Sequence, residues 1–214
     1  MNPLNPMQAR SAQQPEAGSE VFHKRLRLLK PIPPKRSLPW FVNRTVLRTR
    51  WATTISDSAE ILQHVSQPGA ITSDAMRFDG IAIDTANYAL ARGVRAFGVR
   101  TRHSHLGGIS SSDETLRLYV PQGSVLKPVL AELTMNTSAN DRGGECNEAR
   151  GTARTVAIGS ASNQGYAQLF VSEVSTRQEV KTRKGRWTEA VSRSSRRYVL
   201  PFDGTQYVLP VGLR

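Results

Sequence analysis

The chain has 214 residues, 38% of them hydrophobic, with 29 Lys and Arg against 17 Asp and Glu, a formal net charge of +12. That length suits one domain of moderate size with a tail. A single cysteine, Cys146, excludes a disulfide framework or a thiolate metal cluster within one chain, and no apolar run is long enough to span a membrane.

The charge is uneven. Residues 1–50 hold ten cations against two acids and residues 151–214 hold ten against four, whereas 51–100 and 101–150 each carry one excess acid. A near-neutral middle with basic ends fits a body that folds through its centre and binds a polyanion at its margins. Nucleic acid is the first candidate and an acidic membrane surface the second.

Residues 1–20 are rich in Asn, Gln, Pro, Ser and Ala and lack the apolar stretch of a secretory signal. They bury too little to offset ordering entropy, so a disordered arm is expected over 1–44. Within 24–50 stand Lys24, Arg25, Arg27, Lys30, Lys35, Arg36, Arg44, Arg48 and Arg50 with no acid among them. Pro31, Pro33, Pro34 and Pro39 keep most of that stretch out of helix and central strand. Cations interleaved with Leu26, Leu28, Leu29, Trp40 and Phe41 suit the tracking of a single strand of nucleic acid. Phe22, Leu26 and Leu29 also fit one face of a helix, the pattern of a presequence or a membrane-surface segment.

The folded body is expected over 45–214. Period two begins at Thr45, with Leu47, Thr49, Trp51, Thr53 and Ile55 on one face and Arg48 and Arg50 on the other. Asp57 to Glu60 resembles a capping box before Ile61, Leu62 and Val65, with Pro68-Gly69 as its stop, and predicts a short helix. A strand follows at 75–83. Asp84 as N-cap and Gly93 as stop bracket a second short helix, and a strand over 94–102 comes next. Further strands are expected at 115–120, 153–159, 166–174, 185–191, 197–202 and 205–211. Residues 125–135 read as helix or edge strand, and 136–152 as an exposed polar loop. Asp203-Gly204 between two β-rich runs predicts a type I′ hairpin. The fold class is therefore all-β, an antiparallel sandwich or barrel with two short helices.

A second basic stretch, 177–197, holds eight cations and two acids, with Lys181, Arg183, Lys184 and Arg186 crowded around Gly185. These four are the second candidate phosphate contacts; Trp187 beside them is expected in the core. His103 and His105, with His64 and Cys146 elsewhere, lack the paired spacing of a zinc site. Ser110 to Ser112 lack a nucleophile elbow and Cys146 lacks a partner signature. No Walker loop or dinucleotide fingerprint occurs. The chain reads as a non-enzyme with no cofactor, no metal and no small-molecule substrate.

A polar start, a basic proline-containing arm and one all-β body resemble the coat proteins of small positive-strand RNA viruses. The stretch NYALARGVRAFGVRTR, 87–102, looks like the short helix and basic strand that precede the middle of their sandwich. Size and the lack of a projecting domain look most like the simplest plant-virus coats, of the ourmiavirus type. The resemblance implies a jelly-roll body, a homo-oligomeric shell, single-stranded RNA facing Lys24 to Arg50, and a place in the virion and, during assembly, the host cytoplasm. Two features depart from the family: the arm is less densely arginine-rich, and no acidic pair for inter-subunit calcium is evident. The competing reading is an RNA-binding structural component of a cellular ribonucleoprotein, such as an organellar ribosome; self-assembly separates the two.

Overall fold

A computed structural model of the chain describes residues 25–28, 45–54, 61–73, 76–143, 146–161, 164–183 and 186–213. Ten strands carry the fold: β1 (Arg25–Leu28), β2 (Thr45–Thr54), β3 (Ile61–Ser73), β4 (Arg77–Ala91), β5 (Val94–His105), β6 (Ile109–Gln122), β7 (Val125–Gly143), β8 (Cys146–Ala161), β9 (Ala167–Arg183) and β10 (Arg186–Leu200). A 3₁₀ turn, Val211–Leu213, follows them. From β4 to β10 each strand pairs antiparallel with the next. β1, β2 and β3 form a second antiparallel run, joined in parallel to β7 where His64 meets Val125.

The all-β, antiparallel expectation holds, and the first body strand begins at Thr45 as the alternation predicts. The strand order departs from a jelly roll. Jelly rolls are built from Greek-key crossovers, and among the described residues the one pairing of non-consecutive strands is β3 with β7.

Neither expected helix is present among the described residues. Residues 61–69 lie in β3, where Gln63, Val65 and Gln67 are half-buried and His64, Ser66 and Pro68 exposed, a period of two. Residues 85–91 continue β4. The Asp84 cue was real but serves a bulge. Asp84 pairs with Gly98 and Tyr88 with Ala96, so three residues of β4 oppose one of β5. Asp84 Oδ1 accepts the Ala86 N–H at 3.0 Å, the contact an N-cap would make, used inside a strand. Gly93 sits at φ 73° in the β4–β5 turn rather than beyond a helix end.

Residues 136–143 and 146–152 are not a loop. They form the ends of β7 and β8, paired from Asn136–Ala153 to Gly143–Cys146. Polar side chains are compatible with strands there because both faces of this part of the sheet meet solvent. The C-terminal run is not a strand pair either: Phe202 and Tyr207 form an isolated bridge. Its turn is centred on Gly204-Thr205, closed by the Asp203 N–H donating to the Gln206 carbonyl at 3.0 Å. Gly204 takes the left-handed region there at φ 96°, in a turn centred one residue on from the predicted one.

The sheet curls on itself, bringing β4 against β8 and β9. Its principal core joins Tyr88 and Leu90, Leu116 and Leu118, Leu130 and Leu133, Leu169 and Val171, and Leu200. The segment after β10 closes this core with Phe202, Tyr207 and Leu213. A smaller core of Val99, Tyr119 and Leu126 receives Val65 of β3, Ile81 and Phe97. That second core anchors the β1–β2–β3 run: Tyr119 Oη also donates to Gln67 Oε1 at 2.6 Å.

Candidate nucleic-acid interface

Of the nine predicted arm cations, Lys24, Lys30, Lys35, Arg36 and Arg44 lie outside the described residues, as does the rest of the expected disordered arm apart from β1. The other four are brought together by backbone register. Arg25 pairs with Thr54 and Arg27 with Ala52, so both share the face of β2 that carries Arg48 and Arg50. On β3, this face continues through His64 opposite Ala52, Ser66 opposite Arg50 and Pro68 opposite Arg48. All three are exposed, whereas Val65 on the opposite face packs into the smaller core. By backbone register, Arg25, Arg27, Arg48 and Arg50 line up with His64, Ser66 and Pro68 across β1, β2 and β3. Leu26 and Leu28 register with Thr53 and Trp51. Alternation in Arg25-Leu26-Arg27-Leu28 is a strand pattern, which the helical reading of 21–30 had hidden.

The second basic stretch forms the end of the β9–β10 hairpin. Arg183 pairs with Arg186 across the turn, and Lys184 and Gly185 lie outside the described residues. Lys181 is exposed but engaged, with Nζ 2.6 Å from Glu179 Oε2. Arg177 is tied to Glu148 at 2.7 Å and Glu179 at 2.6 Å. Arg186 is exposed. Trp187 is not core: it is 68% exposed, opposite Thr182.

Sequence reasoning missed Arg193, Arg196 and Arg197. All three are exposed on β10 and form no salt bridge among the described residues. The sequence cue was continuity: the two predicted runs are joined in one strand, Arg186–Leu200, and its alternation puts Arg193 and Arg197 on the face of Trp187 and Val191.

Other charged groups are committed to the fold. Arg100 bridges Asp84 at 2.7 Å and Glu114 at 2.6 Å, and Arg102 reaches Glu114 at 2.7 Å. Partial burial opposes ionisation of Glu114, but hydrogen bonds from Arg102 and Arg100 outweigh it and hold the carboxyl below its usual value. Asp84 is likewise lowered: burial is outweighed by the Ala86 N–H, Arg100 and Tyr88. Arg154 and Glu173, both nearly buried, pair at 2.7 Å, and Arg154 also donates to the Thr134 carbonyl at 2.7 Å.

A groove of about 640 Å³ runs across β6 to β10, lined by Ser111, Thr137, Thr152, Ser175 and Ser194 with Arg150 and Asp113. Among the described residues no group of three or more His, Cys, Asp and Glu converges as a metal site would require. His103 lies 3.3 Å from Asp113 and stacks edge-on against Phe78. No helix of the described residues is long and apolar enough to cross a membrane. No protein family model, curated protein or solved structure matches the chain.

Proposed function

We propose that this chain is a self-assembling structural protein that packages single-stranded RNA, a coat protein of a small positive-strand RNA virus. The likeness to such proteins is one of organisation rather than strand order. The observation that supports the reading is the register of β1, β2 and β3, which brings Arg25, Arg27, Arg48 and Arg50 of the acid-free basic stretch 24–50 into line on the folded body. A second RNA-contacting region is the β9–β10 hairpin, through Arg186, Arg193, Arg196 and Arg197 as well as Arg183 and Lys184. Phosphate contacts of this kind need charge and reach but no base-edge readout, so binding tolerates sequence.

Electron microscopy of the purified full chain, with and without single-stranded RNA, tests the reading. Closed particles of this one protein, filled when RNA is present, are the expected result. RNA binding without particles would transfer the protein to the class of cellular ribonucleoprotein components. Failure to bind RNA at low salt would end both readings.

A further inference from the structure

The two ends of the β4–β10 meander differ. β4 is interrupted by three register shifts along its pairing with β5, at Phe78/Gly80, Asp84/Tyr88 and Ala89/Ala91. Bulges of this kind twist an edge away from further pairing. β10 has none: its fifteen residues pair with β9 from Arg186–Arg183 to Leu200–Leu169 without a shift. Among the described strands, β10 has no neighbour on its other side, and every residue from Arg186 to Arg197 is exposed. It contains no proline. A long edge without a bulge or proline is a template for another strand.

We propose that β10 pairs antiparallel with β10 of a second copy of this chain, about a two-fold axis through Ser192. Although β10 carries four arginines, its one acid, Glu189, is placed so that a second copy can meet it with arginine, and this favours one register. An axis at Ser192 opposes Trp187 to Arg197, Glu189 to Ser195 and Val191 to Arg193 of the second copy; no like charges are directly opposed, and the like pairs Arg193–Arg193 and Arg186–Arg196 are diagonal only. Glu189 then lies diagonally between Arg193 and Arg197 of the other strand, within reach of both. Trp187, 68% exposed in the single chain, is covered by an arginine and, diagonally, by Val199. The two Val191 side chains, each 66% exposed, become diagonal neighbours across the axis. Moving the axis one residue to Val191 sets Arg186 against Arg196, and moving it to Arg193 sets that arginine against itself. Both shifts are penalised by like charge. The contact is isologous and closes as a dimer, leaving β1–β3 and its arginine face outside it.

This pairing deepens the self-assembly part of the functional reading and rests on it, but the two can fail separately. In the full chain with Cys146→Ser, Ser192→Cys places two thiols at the axis, and Ala82→Cys on exposed β4 serves as control. Mild oxidation is expected to yield a disulfide dimer with Ser192→Cys and not with Ala82→Cys. Sedimentation equilibrium should show Glu189→Arg weakening the dimer by about tenfold, and adding Arg193→Glu with Arg197→Glu should restore it. These positions are exposed, so loss of folding does not confuse the result. Cross-linking at residue 192 no better than at residue 82, or a dimer indifferent to Glu189→Arg, overturns the pairing. If particles still form in that case, shell formation stands and only the β10 contact is wrong. Cross-linked dimers that never grow into RNA-containing particles support the β10 contact and contradict the coat-protein reading.

Discussion

Tyr207 donates its phenol to the backbone carbonyl of Ala167 at 2.7 Å, while its own N–H donates to the Val129 carbonyl at 2.7 Å. One residue of the C-terminal segment thereby ties the start of β9 to β7, which are not neighbours in the sheet. Its ring packs edge-on against Phe202, 5.3 Å away, and Phe202 lies 4.6 Å from Tyr166. The segment after β10 is thus a strap across the open side of the curled sheet. Tyr207→Phe keeps the packing and leaves a buried carbonyl unpaired, so a loss of about 1–2 kcal/mol is expected. Tyr207→Ala also removes the ring and should cost about 3–5 kcal/mol. Urea denaturation of both variants measures the difference; equal losses would show that the hydrogen bond contributes nothing.

The strap begins with a turn whose backbone is set by Gly204 at φ 96°. Asp203 Oδ1 accepts from the Thr205 and Gln206 N–H groups and from Thr205 Oγ1, each at 2.7 to 2.8 Å. Gly204→Val forces a β-branched residue into the left-handed region and should destabilise by about 1–2 kcal/mol or more. Thr205→Val gives up one exposed hydrogen bond and should cost well under 1 kcal/mol, roughly. Thermal melts that rank the two variants in the reverse order would reject the turn geometry.

Arg154 and Glu173 form a nearly buried pair, supported by Tyr198 Oη at 3.4 Å from Glu173. Removing one partner strands a charge. Arg154→Met alone should destabilise by about 3 kcal/mol, while Arg154→Met with Glu173→Leu should recover most of that loss. A double variant as unstable as the sum of its singles would show that the two residues act independently.

Acid should unfold the protein through the Asp84–Arg100–Glu114 group. Both carboxyls are held below their ordinary values of 3.8 and 4.5. Between the folded and unfolded values the unfolded chain binds the extra protons. Their stabilisation is therefore complete above the unfolded values and lost as pH falls through the folded ones. Tyr88 acts at the other limb. Burial and its hydrogen bond to Asp84 raise its phenol from 10.0 to about 12, so its contribution is present below pH 10.0 and lost as pH rises through about 12. Denaturant midpoints of Glu114→Gln should show a flatter decline than wild type over about pH 5 to 3; an unchanged acid limb would assign acid sensitivity elsewhere.

The β character of the body was legible because alternation is a local signal: Thr45–Thr54, Val94–His105 and Ala167–Arg183 all announce themselves through Val, Leu, Thr and aromatic residues. The helices were misread where a short side chain served a different purpose, as Asp84 does at its bulge. Asn136 to Thr152 escaped detection because strands solvated on both faces lose the polar–apolar contrast on which the reading depends. Topology was not readable, since β1–β3 joins the rest through the short β3–β7 pairing and the packing of Val65 and Gln67 around Tyr119, contacts far apart in sequence. In the candidate interface, the cationic face of Arg48 and Arg50 was visible from spacing alone. That Arg25 and Arg27 join it depends on the β1–β2 register, which is a tertiary fact.

The salt dependence of RNA binding tests the central claim most directly. If about half of the nine cations between Lys24 and Arg50 engage phosphates, log Kobs for single-stranded RNA should fall against log[salt] with a slope of about −3. Replacing Arg25, Arg27, Arg48 and Arg50 together with Gln should flatten the slope to about −2 and weaken binding at low salt without preference for RNA sequence. Fluorescence anisotropy with a labelled oligonucleotide across a salt series measures both. A slope that stays at the wild-type value in the fourfold variant would contradict the assignment of this face to RNA.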